Sequence, residues 1–234
     1  GNKVYISDNL GFLYSFDFVT NKVVWAKKIE IPFRSNLKIT KTQLIGSDQN
    51  NNLYIFDKKK GNTLKLIPTE DVSIKNDFIN SLLISNGTLF FLNTYGSLYS
   101  VDLDNMQINW FINLNRSLSN NPSSLFNGNN IVAENGKIVV SANDLTYVIN
   151  QSSGSILYKN NFSSKIKPIL HNQYLFIITK YNYLVSLNLE TGKIIYSYNI
   201  NSKVAEYLDT KKRKLNLKSL MLVNNKIYVY TDKP

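Results

Sequence analysis

The amino-acid sequence predicts an all-β chain: a β-propeller of four-stranded blades, about five of them, with partial blade material at both ends. Three observations carry this reading. A motif centred on an acid or amide returns at Asp17, Asp57, Asp102, Asn150 and Asn188, spaced by 40, 45, 48 and 38 residues, which is the period of a four-stranded blade. Each copy places two tight-turn positions at fixed offsets from that centre. Between the turns run short segments of Leu, Ile, Val, Tyr and Phe, and 15 Tyr and 12 Phe against 2 Met favour sheet over helix.

Six residues before the centre stand Gly11, Asn51, Gly96, Asp144 and Asn182, residue types that tolerate a left-handed backbone and so predict a hairpin turn. A strand then opens on Leu13, Leu53, Leu98, Thr146 and Leu184, followed by Tyr14, Tyr54, Tyr99, Tyr147 and Val185. Four residues after the centre, Asn21, Gly61, Gly154 and Gly192 predict a second turn, from which Met106 departs. Eight after it come Trp25, Lys65, Trp110, Tyr158 and Tyr196. The rings in this column are expected to wedge between neighbouring blades, each burying on the order of 150–250 Å². The stretches from Val4 to Ile6, Leu89 to Leu92, Ile138 to Val140, Leu175 to Ile178 and Ile227 to Tyr230 do not alternate, which predicts strands buried on both faces.

In chain order, the first unit begins at Val4 without an innermost strand. The first residues thus already belong to a blade, and the sequence is expected to derive from a longer chain. The second unit opens at Pro32 to Leu37 and closes near Thr63 to Ile67, before Pro68 blocks further pairing. The third opens at Ser81 to Ile84 and turns at Asn86-Gly87; the fourth carries the polar segments Ser119 to Ser124 and Asn127 to Asn130, expected as rim loop. The fifth starts near Pro168, and the sixth at Ser219 to Leu222 after a connection in which Val204 to Leu208 predicts one helical turn. Because the repeats cover almost the whole chain, residues 1–234 are expected to form a single domain.

The absence of cysteine removes disulfides and thiolate metal sites. His171 is the single histidine, so no metal triad can be built on it, and Asn127 to Asn130 lacks the Lys-Ser/Thr of a phosphate loop. Asp102 and Asp104 are the nearest carboxylate pair in the repeat columns, and Asp102 is accounted for by its turn. No catalytic, cofactor-binding or metal-ligating residue is expected. The net charge of +11 favours acidic partners or anionic surfaces through attraction that salt weakens. Its one dense run is Lys211-Lys212-Arg213-Lys214, for which the ordinary reading is a solvated loop. The aromatic residues sit in strand columns rather than interleaved with basic ones, so nucleic-acid binding is not expected.

Leu98-Tyr99-Ser100-Val101-Asp102 followed by Ile108-Asn109-Trp110, and Leu187-Asn188-Leu189-Glu190-Thr191-Gly192-Lys193-Ile194-Ile195-Tyr196, resemble the PQQ-like (quinoprotein-type) propeller repeat. The resemblance spans nearly the whole chain. Within that superfamily, Pro32-Phe33-Arg34-Ser35 and the lack of catalytic residues look most like the BamB family of outer-membrane assembly lipoproteins. That resemblance implies a non-catalytic, periplasmic, outer-membrane-associated scaffold, held to the membrane only by a lipid anchor on a longer chain. The protein partner it implies is the barrel-inserting subunit of the assembly machinery. Rim loops would carry the docking, and the candidates are Arg34, Arg116, Lys211, Lys212, Arg213 and Lys214. Two other readings stay open: a quinoprotein-type dehydrogenase whose cofactor residues lie in other blades, and a sugar- or polymer-binding propeller, which exposed rings at Trp25 or Trp110 would support.

Overall fold

The computed structural model describes residues 1–71, 78–115 and 126–232. The chain divides into two compact units, Gly1–Phe126 and Asn127–Pro234. In the first unit, sheet one is β1 (Lys3–Ser7), β2 (Phe12–Asp17) and β3 (Lys22–Lys28). Sheet two is β4 (Lys38–Ile39), β5 (Gln43–Ser47), β6 (Leu53–Asp57) and β7 (Thr63–Ile67), and sheet three is β8 (Ser81–Ser85), β9 (Thr88–Leu92), β10 (Ser97–Asp102) and β11 (Gln107–Asn113). In the second unit, sheet four is β12 (Val132–Glu134), β13 (Lys137–Ala142), β14 (Leu145–Asn150) and β15 (Ile156–Asn160). Sheet five is β16 (Ile169–His171), β17 (Tyr174–Ile178), β18 (Tyr183–Asn188) and β19 (Ile194–Asn199), followed by helix α1 (Ile200–Tyr207) and by sheet six, β20 (Leu217–Val223) with β21 (Lys226–Thr231). Every sheet is an antiparallel meander, and these are the expected propeller blades.

Their uniformity follows from the repeat columns. The central acid or amide closes the turn between the third and fourth strands by accepting the backbone N–H groups that follow it. Asp17 accepts from Val19 and Thr20, Asp102 from Asp104 and Asn105, Asn150 from Ser152 and Ser153, and Asn188 from Glu190 and Thr191. The residue four positions later has a left-handed φ in all five copies: Asn21, Gly61, Met106, Gly154 and Gly192. Met106 therefore departs in residue type but not in backbone, at φ 57°. A bulge follows one column through the sheets, at Ser15/Phe16, Ile55/Phe56, Ser100/Val101, Val148/Ile149 and Ser186/Leu187, and adds to the twist of each blade.

Three expectations are corrected. The left-handed residue of the fourth hairpin is Asn143, at φ 54°, and not Asp144. The reason is length: Ala142 faces Leu145 across that hairpin, whereas Ser47 faces Leu53 in sheet two, so the turn is tighter and moves back one residue. β1 and β21 are packed on one face only, with Tyr5, Ile227 and Val229 turned to the cores and Val4, Ile6, Tyr228 and Tyr230 exposed. The helix is longer than one turn because Asn199 caps it by accepting the N–H of Ser202 at 3.1 Å.

Within each unit, consecutive sheets pack face to face. Leu13 meets Leu44 and Phe56, while Ile45, Leu53, Ile55 and Ile67 meet Leu82, Leu89, Phe91 and Val101. In the second unit Val132, Val139 and Val148 meet Leu175, Ile177 and Leu187, and Ile178 meets Leu217 and Leu220. At two of these junctions a ring of the repeat column acts as the wedge. Trp25 of sheet one donates its Nε1–H to the carbonyl of Lys58 at 3.3 Å, and Tyr158 of sheet four donates its hydroxyl to the carbonyl of Leu189 at 2.6 Å. Both acceptors follow directly on the central residue of the next blade. Both rings lie against the glycine of that blade's second turn: a Cβ on Gly61 would stand 2.7 Å from the Trp25 ring, and one on Gly192 2.8 Å from that of Tyr158.

Between sheets two and three the ring is replaced by Lys65, which is exposed. There the glycine is replaced too, by Met106, whose side chain packs on the shared core, and the waiting carbonyl of Leu103 takes the Nε2–H of buried Gln43 at 2.7 Å. The two departures in the sequence columns are one compensated exchange.

Candidate protein-docking surface

At one end of the second unit, the turns between β17 and β18 meet the connections leaving β15 and β19. The connection after β19 is the long one. Helix α1 ends at Tyr207, the N–H of its cap residue Leu208 bonds back to the Val204 carbonyl, and Asp209 takes a left-handed φ of 49°. Lys211, Lys212, Arg213 and Lys214 follow as an exposed run before Leu217 enters the core.

The connection that carries the run is tied together by one buried amide. Asn182 Nδ2 donates to the carbonyl of Leu215 at 2.7 Å and to Asn201 Oδ1 at 3.0 Å, and the same Oδ1 accepts the N–H of Leu215 at 3.0 Å. Leu215 and Ile200 pack on the core of sheets five and six. The basic residues thus project from a base fixed at Asn201 and Leu215. Replacing Asn182 by Gly keeps its φ of 61° accessible while removing the amide. The expected result is a loss of about 1–2 kcal/mol and severalfold faster tryptic cleavage at Lys211 to Lys214; unchanged cleavage would assign the anchoring elsewhere.

The run has basic company. The Lys165 ammonium is pushed down from its ordinary pKa by partial burial, then by the charges of Lys214 and Lys218, with Asp232 opposing. Lys218 lies 3.9 Å from Asp232. One face of the second unit therefore joins Lys165, Lys214 and Lys218, residues far apart in the sequence, into a positive patch. Arg34 belongs to the first unit, where its N–H bonds to the Ser47 carbonyl and its own carbonyl accepts from Asn80. Arg116 and the polar segment Ser119 to Ser124 lie outside the described residues.

The first unit places its own buried polar cluster at the equivalent blade end. Asn51, in the same column as Asn182, donates to the carbonyl of Glu70 at 2.7 Å. The Glu70 carboxylate accepts from Ser97 Oγ at 2.8 Å, Tyr99 hydroxyl at 2.7 Å and Asn93 Nδ2 at 3.0 Å. Burial alone would raise its pKa, but the bonds from Tyr99, its own backbone, Ser97 and Asn93 prevail and hold it below the ordinary value. Both oxygens are occupied, so this carboxylate anchors the connection after β7. Trp25 is engaged with Lys58, and Trp110 packs beside Phe90 at 6.0 Å between ring centres; neither stands as an open aromatic platform. Among the described residues no three His, Asp or Glu side chains gather in a cluster able to hold a metal ion, and no helix is long and apolar enough to cross a membrane.

Against known families, residues 1–198 match the PQQ_2 family, described as outer membrane protein assembly factor BamB. The chain belongs to this family. Its fold is similar to the crystal structure of BamB from Moraxella catarrhalis, with a TM-score of 0.71 at 16% identity over 98% of this chain and 66% of that one. It is also similar to the computationally designed Ika8 protein and to KlHsv2 with its loop 6CD replaced by a Gly-Ser linker. Each of these has a TM-score of 0.68 at 11% identity over 98% of this chain, covering 65% and 72% of the respective structure. This BamB-family chain thus spans 66% of the Moraxella protein's length. No curated protein matches it in sequence.

Proposed function

We propose that this chain is a non-catalytic propeller, a single domain over residues 1–234, that docks a protein partner in the bacterial envelope during outer-membrane protein assembly. It works in the periplasm at the outer membrane, where any attachment is through a lipid anchor on a longer chain. The partner is the barrel-inserting subunit, and neither nucleic acid nor cofactor takes part. The observation that carries this reading, beyond membership of the family, is the anchored basic run. Lys211 to Lys214 project from a base fixed by Asn182 beside Lys165 and Lys218, which suits an acidic protein face. Rigid blades presenting charged loops need no chemistry of their own to act as a scaffold.

Calorimetric titration against the periplasmic domains of the barrel-inserting subunit tests this. Reversing Lys211, Lys212, Arg213 and Lys214 to Glu is expected to weaken binding about tenfold or more and to flatten its salt dependence. In the same titration Arg34→Ala is expected to weaken it a fewfold. Binding that ignores the reversal would remove the basic run from the interface, and no binding at any salt would remove the partner.

A further inference from the structure

The same end of the second unit holds a cleft of about 500 Å³. Its lining includes Phe162 from the connection after β15, Tyr181 from the turn before β18 and Tyr183 at the start of that strand. The scaffold beneath is tightly held. Thr146 Oγ1 donates to the Phe162 carbonyl at 2.7 Å, Ser164 bridges to Thr179, and the Lys165 N–H bonds to the Ile178 carbonyl at 2.7 Å. Tyr181 is nonetheless 68% exposed and Tyr183 39% exposed. Exposed rings on a rigid concave wall are the usual makings of a recognition pocket. At the rim the Lys180 ammonium sits 2.6 Å from Asp144 and 5.3 Å above the Tyr181 ring. That pairing balances the charge of the lining, and the rest of the wall is neutral, apolar at Phe162, Val185 and Ile194 and polar at Asn161, Thr179 and Ser197.

Resting on the docking function above, we propose that this cleft receives an aromatic side chain of an extended acidic peptide segment of the partner, whose flanking carboxylates meet Lys165, Lys214 and Lys218. Two observations select that chemistry. The space exceeds one aromatic side chain, so a ring enters together with backbone on either side. The wall that carries Phe162 continues within three residues to Lys165, and the turn that carries Tyr181 continues to Asn182, whose amide holds Leu215 next to Lys214. Cleft and basic patch are therefore neighbours along these two segments. Three ammonium groups gathered beside Asp232, on a chain of net charge +11, are complementary to an acidic segment. Such charges set encounter rate and orientation, while the buried ring supplies most of the affinity.

The test is titration of the chain with a synthetic peptide carrying one phenylalanine between two aspartates on each side. A second peptide has alanine in place of the phenylalanine, and a third has serines in place of the aspartates. Both altered peptides are expected to bind about tenfold more weakly or worse. Tyr181→Ala, at an exposed position that leaves the core intact, and Lys165→Glu are expected to weaken the first peptide to a similar degree, and only the Lys165→Glu effect shrinks as salt rises. Circular dichroism of both variants confirms the fold. Equal binding of the alanine peptide, or no effect of Tyr181→Ala, overturns the assignment. So does binding of a neutral oligosaccharide such as cellohexaose that Tyr181→Ala abolishes. The outcome also separates the two readings. Loss of the peptide site with retained, basic-run-dependent binding of the periplasmic domains removes the cleft and keeps the scaffold. Peptide binding without binding of those domains keeps the cleft and removes that partner.

Discussion

Gly61→Met is expected to destabilise the first unit by about 2–4 kcal/mol, and part of that loss is expected to return when Trp25→Lys is made in the same chain. The position has a φ of 72°, and a Cβ there would meet the Trp25 ring at 2.7 Å. The ring cannot yield freely, because its Nε1–H is tied to the Lys58 carbonyl and its face packs against the core of Leu13, Leu44 and Phe56. Backbone strain is the smaller share: Met106 occupies the same column at φ 57°, so methionine is compatible with this turn at a cost of about 1–2 kcal/mol. The larger share is the collision. The junction between sheets two and three shows the alternative, with Lys65 in place of the ring and Met106 in place of the glycine. The double variant rebuilds that pairing one blade earlier. In a cycle of urea denaturation followed by far-ultraviolet circular dichroism, the coupling between the two sites is expected to be about 1–3 kcal/mol. Strict additivity would show that the ring and the glycine do not share one space, and that Lys65 and Met106 stand together by accident.

That exchange marks where the sequence is legible and where it is not. The hairpins and second turns are written in local chemistry, since Asp102 or Asn188 accepts from its own following N–H groups whatever surrounds it. Those columns accordingly fall where the repeat places them. Asp144 fails only because a shorter hairpin shifts its left-handed position to Asn143. Contacts between blades are another matter. Nothing near Met106 shows that it answers Lys65, because the two share a junction only when sheets stack. The docking surface divides the same way. Lys211 to Lys214 is visible as a charge run, whereas Lys165 and Lys218 join it only through folding. Asn182 reads as one more turn residue until its amide is found holding Leu215. Nothing in the sequence sets Tyr181 and Tyr183 apart from the chain's other rings, and only folding brings these exposed side chains to one cleft with Asp144 and Phe162. Glu70 gave no signal either, since a carboxylate in a polar connection is ordinarily solvated.

Glu70→Gln is expected to cost about 2–3 kcal/mol at neutral pH, more than a surface carboxylate warrants. Three donors converge on the two oxygens, Ser97 Oγ on one and both Tyr99 hydroxyl and Asn93 Nδ2 on the other. A glutamine amide offers a single oxygen, so in either orientation at least one donor faces the NH₂ group and loses its acceptor. The carboxylate also governs a pH dependence of definite sign. Its folded pKa lies below the ordinary 4.5, because the hydrogen bonds that favour the charged form outweigh burial. Its contribution is therefore complete above the unfolded value and is lost as pH falls through the folded one. The stability difference between the native chain and Glu70→Gln should be level from neutral pH down to about 5 and then narrow in more acidic solution. A gap that stays constant to pH 3 would mean that the charge contributes nothing and only the shape of the side chain matters. Because Asn51 holds the Glu70 carbonyl while Asn93 and Tyr99 hold its carboxylate, the same residue couples the connection after β7 to the turn that opens β10. Acid should therefore loosen that blade end before it unfolds the sheets, and hydrogen exchange at Thr94 to Ser97, measured against the strand amides of β9, reads that order directly.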